Sequence, residues 1–292
     1  MTKHTEGADQ IYASGPESLA AGALTIFAGP VSGYTTHILT TSKGDAPIPL
    51  TWIVSGRIDQ PHTLKGAPAK SAIEFVRQER ATVLQADPSV PEWQLEYDHL
   101  APEDHVTLFL TGDPAQPLIA AIPSGRGPRD LAGLLSEILP ILGIQDSAEQ
   151  IGAWLYYLGI ARSDEGRKAG LRALLRLNVS WTKFGPAIEF LIGSPNSPMR
   201  SYVFGLVTFA GRKGKFGLDA AAFLSRHFVK ETDPRVSLGY VLNLKMLLAF
   251  TSSGALKATI ADGLRYRASS GPLPPEIAEQ YRQIHAAHPG LL

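Results

Sequence analysis

Between residues 160 and 268 the chain repeats one device. Ser163, Ser197 and Asp233 each stand before a helical run, at intervals of 34 and 36 residues. The runs read "SDEGRKAGLRALLRL", "SPMRSYVFGLVTFA" and "DPRVSLGYVLNLKMLLAF", and the last two open with proline in the first turn. That is a standard way to start a helix, because proline there gives up only an N–H that has no intrahelical partner. After each run come a turn and a second apolar helix: "PAIEFLI", "LDAAAFLSRHF" and "GALKATIADGL". A lone two-helix unit cannot bury its apolar face. Units recurring at this period bury it against one another, in a stack where each touches its neighbours. The phase places Leu174, Phe204 and Leu242 on buried faces. It also assigns Tyr156, Tyr157, Phe190, Tyr202, Phe204, Phe209, Phe223 and Phe228 to packing between units rather than to a cofactor pocket.

The helical pattern begins earlier, with Leu131, Leu134, Leu135, Ile138 and Leu142 in "RDLAGLLSEILPILG". Ser147 and Gln150 read as a capping box before "IGAWLYYLGI". Pro275 opens a last helix carrying Ile277, Tyr281 and Ile284. In the region 160–268 the chain resembles HEAT-like α-solenoid repeats, whose first helix often begins Asp-Pro-x-Val-Arg. Asp233, Pro234 and Val236 match, with Ser237 in place of the arginine. Ser197, Pro198 and Arg200 match in part. The resemblance implies a helical-repeat domain that binds other molecules.

Before residue 126 the period changes. "LTIFAG", "THILTT", "LTWIVSGRI", "SAIEFVRQE", "WQLEYD", "HVTLFLTG" and "PLIAAIPSG" are short, rich in β-branched and aromatic residues, and separated by turn-forming residues. Trp93, Leu95 and Tyr97 alternate with Gln94 and Glu96, the period-two pattern of an antiparallel strand with one polar face. This spacing predicts a small barrel or sandwich. In "LTWIVSGRIDQPHTLKG" Gly56 reads as a bulge or bend, Pro61 as a break in pairing, and Lys65-Gly66 as a turn. "TLKG" and "VTLFLTG" resemble OB-type or netrin-like β-barrels. The expected class is α+β: an N-terminal extension (1–22), an antiparallel β-barrel or sandwich (23–125), an all-α helical-repeat (HEAT-like) domain (129–268) and a C-terminal capping helix (269–292).

The 292 residues include no cysteine, which removes disulfides, thiolate nucleophiles and Cys-ligated zinc from consideration. No apolar run is long enough for a spanning helix. "SLAAGALTIFA" (18–28) follows Glu6, Asp9 and Glu17 rather than a basic segment, so it does not read as a signal peptide. The compartment is open: cytoplasmic for a full chain, extracytoplasmic if a signal has been removed. The net charge of zero conceals a split. Residues 1–150 carry 9 Lys and Arg against 18 Asp and Glu, and residues 151–292 carry 18 against 9. Such asymmetry belongs to two mutually attracting halves or to a basic surface with an anionic partner.

Three polar clusters are candidates for chemistry. "EYDHLAPEDH" brings Asp98, His99, Glu103, Asp104 and His105 together, residue types that hold divalent metals, though not at a standard metal-site spacing; a solvated acidic loop is the plainer reading. "SGRGPRDLAG" sets Arg126 and Arg129 before a helix start, where free N–H groups and guanidinium groups meet anions. Its glycine spacing matches neither a phosphate-binding loop nor a dinucleotide fingerprint, and Ser124 lacks the flanking glycine pair of a nucleophile elbow, so it also reads as a linker. "GRKGKFG" places Arg212, Lys213 and Lys215 in a turn inside a repeat, with Arg200, Arg226, Lys230 and Arg235 in neighbouring segments; it reads as a solvated turn or as an anion contact. His285 and His288 sit near the end of the last helix without a neighbouring carboxylate. No catalytic set and no cofactor site is expected. The leading expectation is a non-enzymatic binding or scaffold protein with a protein partner. The alternatives are an anion- or nucleic-acid-binding solenoid and a hydrolase using residues 98–105 with Ser124.

Overall fold

A computed structural model describes residues 15–40, 50–68, 72–81, 105–110, 118–123 and 131–291. The chain separates into two compact units between Gln145 and Asp146. The first contains α1 (Pro16–Gly22), β1 (Thr25–Pro30), β2 (Gly33–Thr40), β3 (Leu50–Ile58), β4 (His62–Lys65), β5 (Ile73–Ala81), β6 (His105–Leu110), β7 (Leu118–Pro123) and α2 (Leu131–Leu142). The helix expected at 131–142 is therefore present, and it packs with the sheet unit, against α1 and β4.

The strands form two antiparallel sheets, ordered β4-β1-β6-β7 and β2-β3-β5. Pairing among the described strands closes no barrel. Both sheets feed one core, with Phe27, Val106 and Leu108 from the first and Ile58, Ile73 and Phe75 from the second. The expected strand at 93–98 lies outside the described residues.

Gly56 is not a bulge. It pairs in unbroken register with Tyr34 on one side and Phe75 on the other. Its reason is close packing: a Cβ built there lies 2.3 Å from Cζ of Phe75, whose ring occupies the space. At the end of the stretch, Gly66 adopts φ +89°, a left-handed turn conformation that glycine takes without strain. Lys65 Nζ donates to the carbonyls of Ala20, 2.9 Å away, and Ala23, satisfying acceptors at the C-terminal end of α1. Partial burial lowers the pKa of this lysine.

The second unit is helical: α3 (Ser147–Ile160), α4 (Asp164–Arg176), α5 (Trp181–Ile192), α6 (Ser197–Arg212), α7 (Gly217–Lys230), α8 (Pro234–Phe250), α9 (Gly254–Ser269) and α10 (Pro275–Ala287). Helices pack against the next but one as well as the next. α4, α6, α8 and α10 succeed one another in one row, and α7 and α9 pair in the other. This arrangement is compatible with a helical-repeat region. Helix α6 lies in the middle, and Tyr202, Val203, Phe204, Leu206 and Val207 are all buried, as expected of a helix apolar on nearly every face.

The caps show why the period holds. Ser163 and Asp233 are N-caps as expected, their side chains accepting from Gly166 N and from Arg235 N and Val236 N. The cap of α6 is Asn196, one residue before Ser197, and the cap of α3 is Asp146, not Ser147; each accepts from the amide three residues on. In both cases the carboxylate or amide oxygen lies one position earlier and captures the amide ahead of the serine. Helices α4 and α6 also end alike. Val179 N donates to Leu174 O and Asn178 N to Leu175 O; Lys215 N donates to Ala210 O and Gly214 N to Gly211 O. Both are Schellman closures, with Asn178 (φ 54°) and Gly214 (φ +78°) in the left-handed position.

Leu174 and Phe204 are fully buried, but Leu242 is 42% exposed. Its neighbours Val241 and Leu244 face inward instead. Tyr156 and Phe190 are likewise exposed rather than packed between repeats. Successive helical residues diverge by about 100°, so only one of an adjacent aromatic pair can face the core. Tyr157 takes that place at 5% exposure and leaves Tyr156 at 71%.

Candidate functional site

The repeat geometry gives the helical unit two edges of turns with different chemistry. One edge joins the ends of α4, α6 and α8 to the starts of α5, α7 and α9. Its three turns touch in sequence. Lys215 Nζ donates to Leu175 O and to Asn178 Oδ1, crossing from the α6–α7 turn to the α4–α5 turn. Phe216 packs 5.1 Å from Trp181 and stacks 5.2 Å from Phe184. The guanidinium of Arg212 lies 5.2 Å over the ring of Phe250, at the head of the α8–α9 turn.

Phe216 holds φ 66°, a conformation costly for a residue with a Cβ. Its packing against the two aromatic rings of α5 offsets that cost. The turn containing Arg212, Lys213 and Lys215 is thus anchored rather than free: Lys215 is held by a carbonyl and an amide oxygen, and Lys213 Nζ lies 5.8 Å over Phe209. Both acceptors of Lys215 are neutral, so these bonds leave its positive charge uncompensated. Burial lowers its pKa.

The other edge holds the starts of α4, α6 and α8, and it is a polar ladder. Asn196 Nδ2 donates to Asp164 Oδ2, and Ser197 Oγ donates to Asp233 Oδ2 at 2.9 Å. Arg200 donates to both oxygens of Glu231, at 2.9 and 3.1 Å, and to Ser194 O at 2.8 Å. The Glu231 side chain is only 6% exposed. This bidentate pair raises the pKa of Arg200, chiefly through the hydrogen bond to Glu231. Beside it Tyr240 stacks on Phe204 at 3.6 Å, and burial raises the phenol pKa. Serine, asparagine and acid here link one repeat to the next.

A third cluster bridges α5 and α7. Glu189 receives Arg226 Nη2 at 2.9 Å, and its other oxygen lies 3.1 Å from His227 Nε2. The imidazole packs 4.5 Å from Phe223, and desolvation lowers its pKa despite the carboxylate.

Of the residues singled out in the sequence, Arg212, Lys213 and Lys215 come together on the first edge. His105 is exposed at the start of β6. Asp98, His99, Glu103, Asp104, Ser124, Arg126 and Arg129 lie outside the described residues. Among the described residues, no group of three or more His, Cys, Asp or Glu is placed to hold a metal ion. Sequence reasoning missed Trp181 and Phe216 as the fastening of the basic turn. The available signal was their separation of 35 residues, one repeat period. Comparison of the chain with protein-family models, with curated proteins and with solved structures finds no match.

Proposed function

We propose that this chain is a non-enzymatic binding or scaffold protein whose helical unit is a HEAT-like repeat array and whose sheet unit is an OB-type barrel or sandwich module. In this reading the repeats lie in the helical unit that begins at Asp146, without the 131–142 helix, and the last helix acts as a cap. The contacts of α10 support the cap: Lys245 Nζ donates to Gln280 Oε1 at 3.1 Å, and Tyr281 donates to Leu264 O at 2.8 Å. Exposed Glu276, Arg282 and Gln283 give α10 a polar outward side, as the end of a repeat array needs.

The observation that carries the binding reading is the set of large apolar side chains left exposed on packed helices: Tyr156, Ile160, Phe190, Leu242 and Tyr266. Aromatic residues of this kind dominate the energetics of protein interfaces. The test compares proteins captured by the full chain with those captured by a Phe190→Asp/Tyr266→Asp variant whose melting temperature matches the parent. Loss of a specific partner from the variant supports the reading; an identical set of partners, or none, refutes it.

A second reading, an anion-binding array, is favoured by one observation. The three turns of the first edge, residues 176–183, 211–219 and 249–257, contain six basic residues and one acidic residue, Asp219. Salt-dependent retention of the full chain on a polyanion support, lost when Lys183 and Lys213 become glutamate, tests it.

A further inference from the structure

We propose that the edge formed by the α4–α5, α6–α7 and α8–α9 turns is a docking surface for an anionic phospholipid bilayer. The proposal rests on the second reading above, that this edge binds anions, and names the partner. Contacts already described place the three turns side by side: Lys215 to Leu175 and Asn178, Phe216 to Trp181, and Arg212 to Phe250. Lys183 and Lys213 are exposed on this edge, and the charge of Lys215 meets two neutral acceptors.

Two further side chains distinguish a bilayer from other polyanions. Leu218, at the start of α7, is 50% exposed, and Phe250, at the end of α8, is 61% exposed. A phosphate backbone has no use for a leucine held out among lysines, whereas the headgroup–acyl boundary of a bilayer takes up such groups while its anionic lipids attract the cations. Base stacking is poorly served, because the aromatic groups here are engaged with one another. Trp181 packs against Phe184, Phe216 and Phe223, and Phe216 stacks on Phe184. No helix among the described residues is long and apolar enough to cross a membrane, so the contact proposed is with the surface.

The test is flotation of the full chain with phosphatidylcholine vesicles, with and without about a third phosphatidylserine. It is run for the parent, for Lys183→Glu/Lys213→Glu, for Leu218→Ser/Phe250→Ser, and for a control, Arg162→Glu/Arg235→Glu, on the opposite edge. Thermal melts verify that each variant is folded. Expected are binding to the phosphatidylserine vesicles only, weakening on the order of tenfold or more in the lysine variant, several-fold weakening in the Leu218/Phe250 variant, and no change in the control. Absence of flotation by the parent overturns the proposal, as does equal weakening in the control or no effect of the Leu218/Phe250 change. Salt-dependent binding of the parent to a single-stranded oligonucleotide without vesicle binding overturns the bilayer while leaving the anion reading standing. Binding to neither removes both.

Discussion

Truncating Phe204 to alanine measures how much the stacking of repeats contributes to stability. The side chain is fully buried at the centre of α6, the helix enclosed on nearly every side, and its ring lies 3.6 Å from that of Tyr240, inclined by 13°. Phe204 and Tyr240 are 36 residues apart, so this one contact joins two successive repeats. Removing a buried phenyl group costs about 3–5 kcal/mol, from lost transfer energy plus the cavity left behind. The stacked partner places the expected value toward the upper part of that range, since aromatic pairs add about 0.5–1.5 kcal/mol beyond area. For a unit of this size that corresponds to a fall in melting temperature of roughly 6–20 °C. Leu242→Ala is the matched comparison. Its side chain is 42% exposed one repeat further on, and its loss should cost about 1 kcal/mol or less. Denaturant unfolding of both variants, followed by helical circular dichroism, separates the two. Equal destabilisation by both, or a Phe204→Ala cost below about 1 kcal/mol, would show that the inter-repeat core is not where the stability lies.

Three more outcomes follow from the contacts. Gly56→Ala should destabilise the sheet unit by about 1–3 kcal/mol through collision with Phe75, and Phe75→Leu should recover part of that loss; a neutral Gly56→Ala in a denaturation curve refutes the packing argument. Glu231→Ala should cost about 3–5 kcal/mol by leaving Arg200 without its bidentate partner. The double change with Arg200→Met should cost less than Glu231→Ala alone, and a strictly additive double-mutant cycle counts against a coupled pair. For His227, a folded-state pKa below the unfolded value means that the unfolded chain binds more protons in the interval between them. Its contribution to stability is therefore complete above about pH 6.5 and is lost as the pH falls through the folded value. His227→Gln should flatten that part of the stability–pH profile, and an unchanged profile places the titration elsewhere.

Much of the helical unit is legible in the chain because its determinants are local. Ser163 and Asp233 cap helices by reaching amides two or three residues away, and Pro198, Pro234 and Pro275 sit in first turns where their missing N–H costs nothing. The period near 35 residues is visible because each repeat needs the same start, turn and apolar stripe. Reading fails where the deciding contact is distant. An adjacent pair such as Tyr156 and Tyr157 looks equivalent in sequence, and the phase of packing against neighbouring helices selects one of them. Gly56 resembles a strand-breaking glycine until Phe75, from another strand, is seen in its space. Lys215 resembles a solvated turn residue until the end of α4 brings carbonyl and amide oxygens to it, and Phe250 meets the Arg212 guanidinium only when the turns line up. Local propensity and capping act through the chain's own next few residues, so the sequence by itself determined where helices begin, how they recur and how the charge divides between the halves. Register, side-chain facing and the composition of each edge depend on atoms tens of residues away, and those the tertiary structure alone decided.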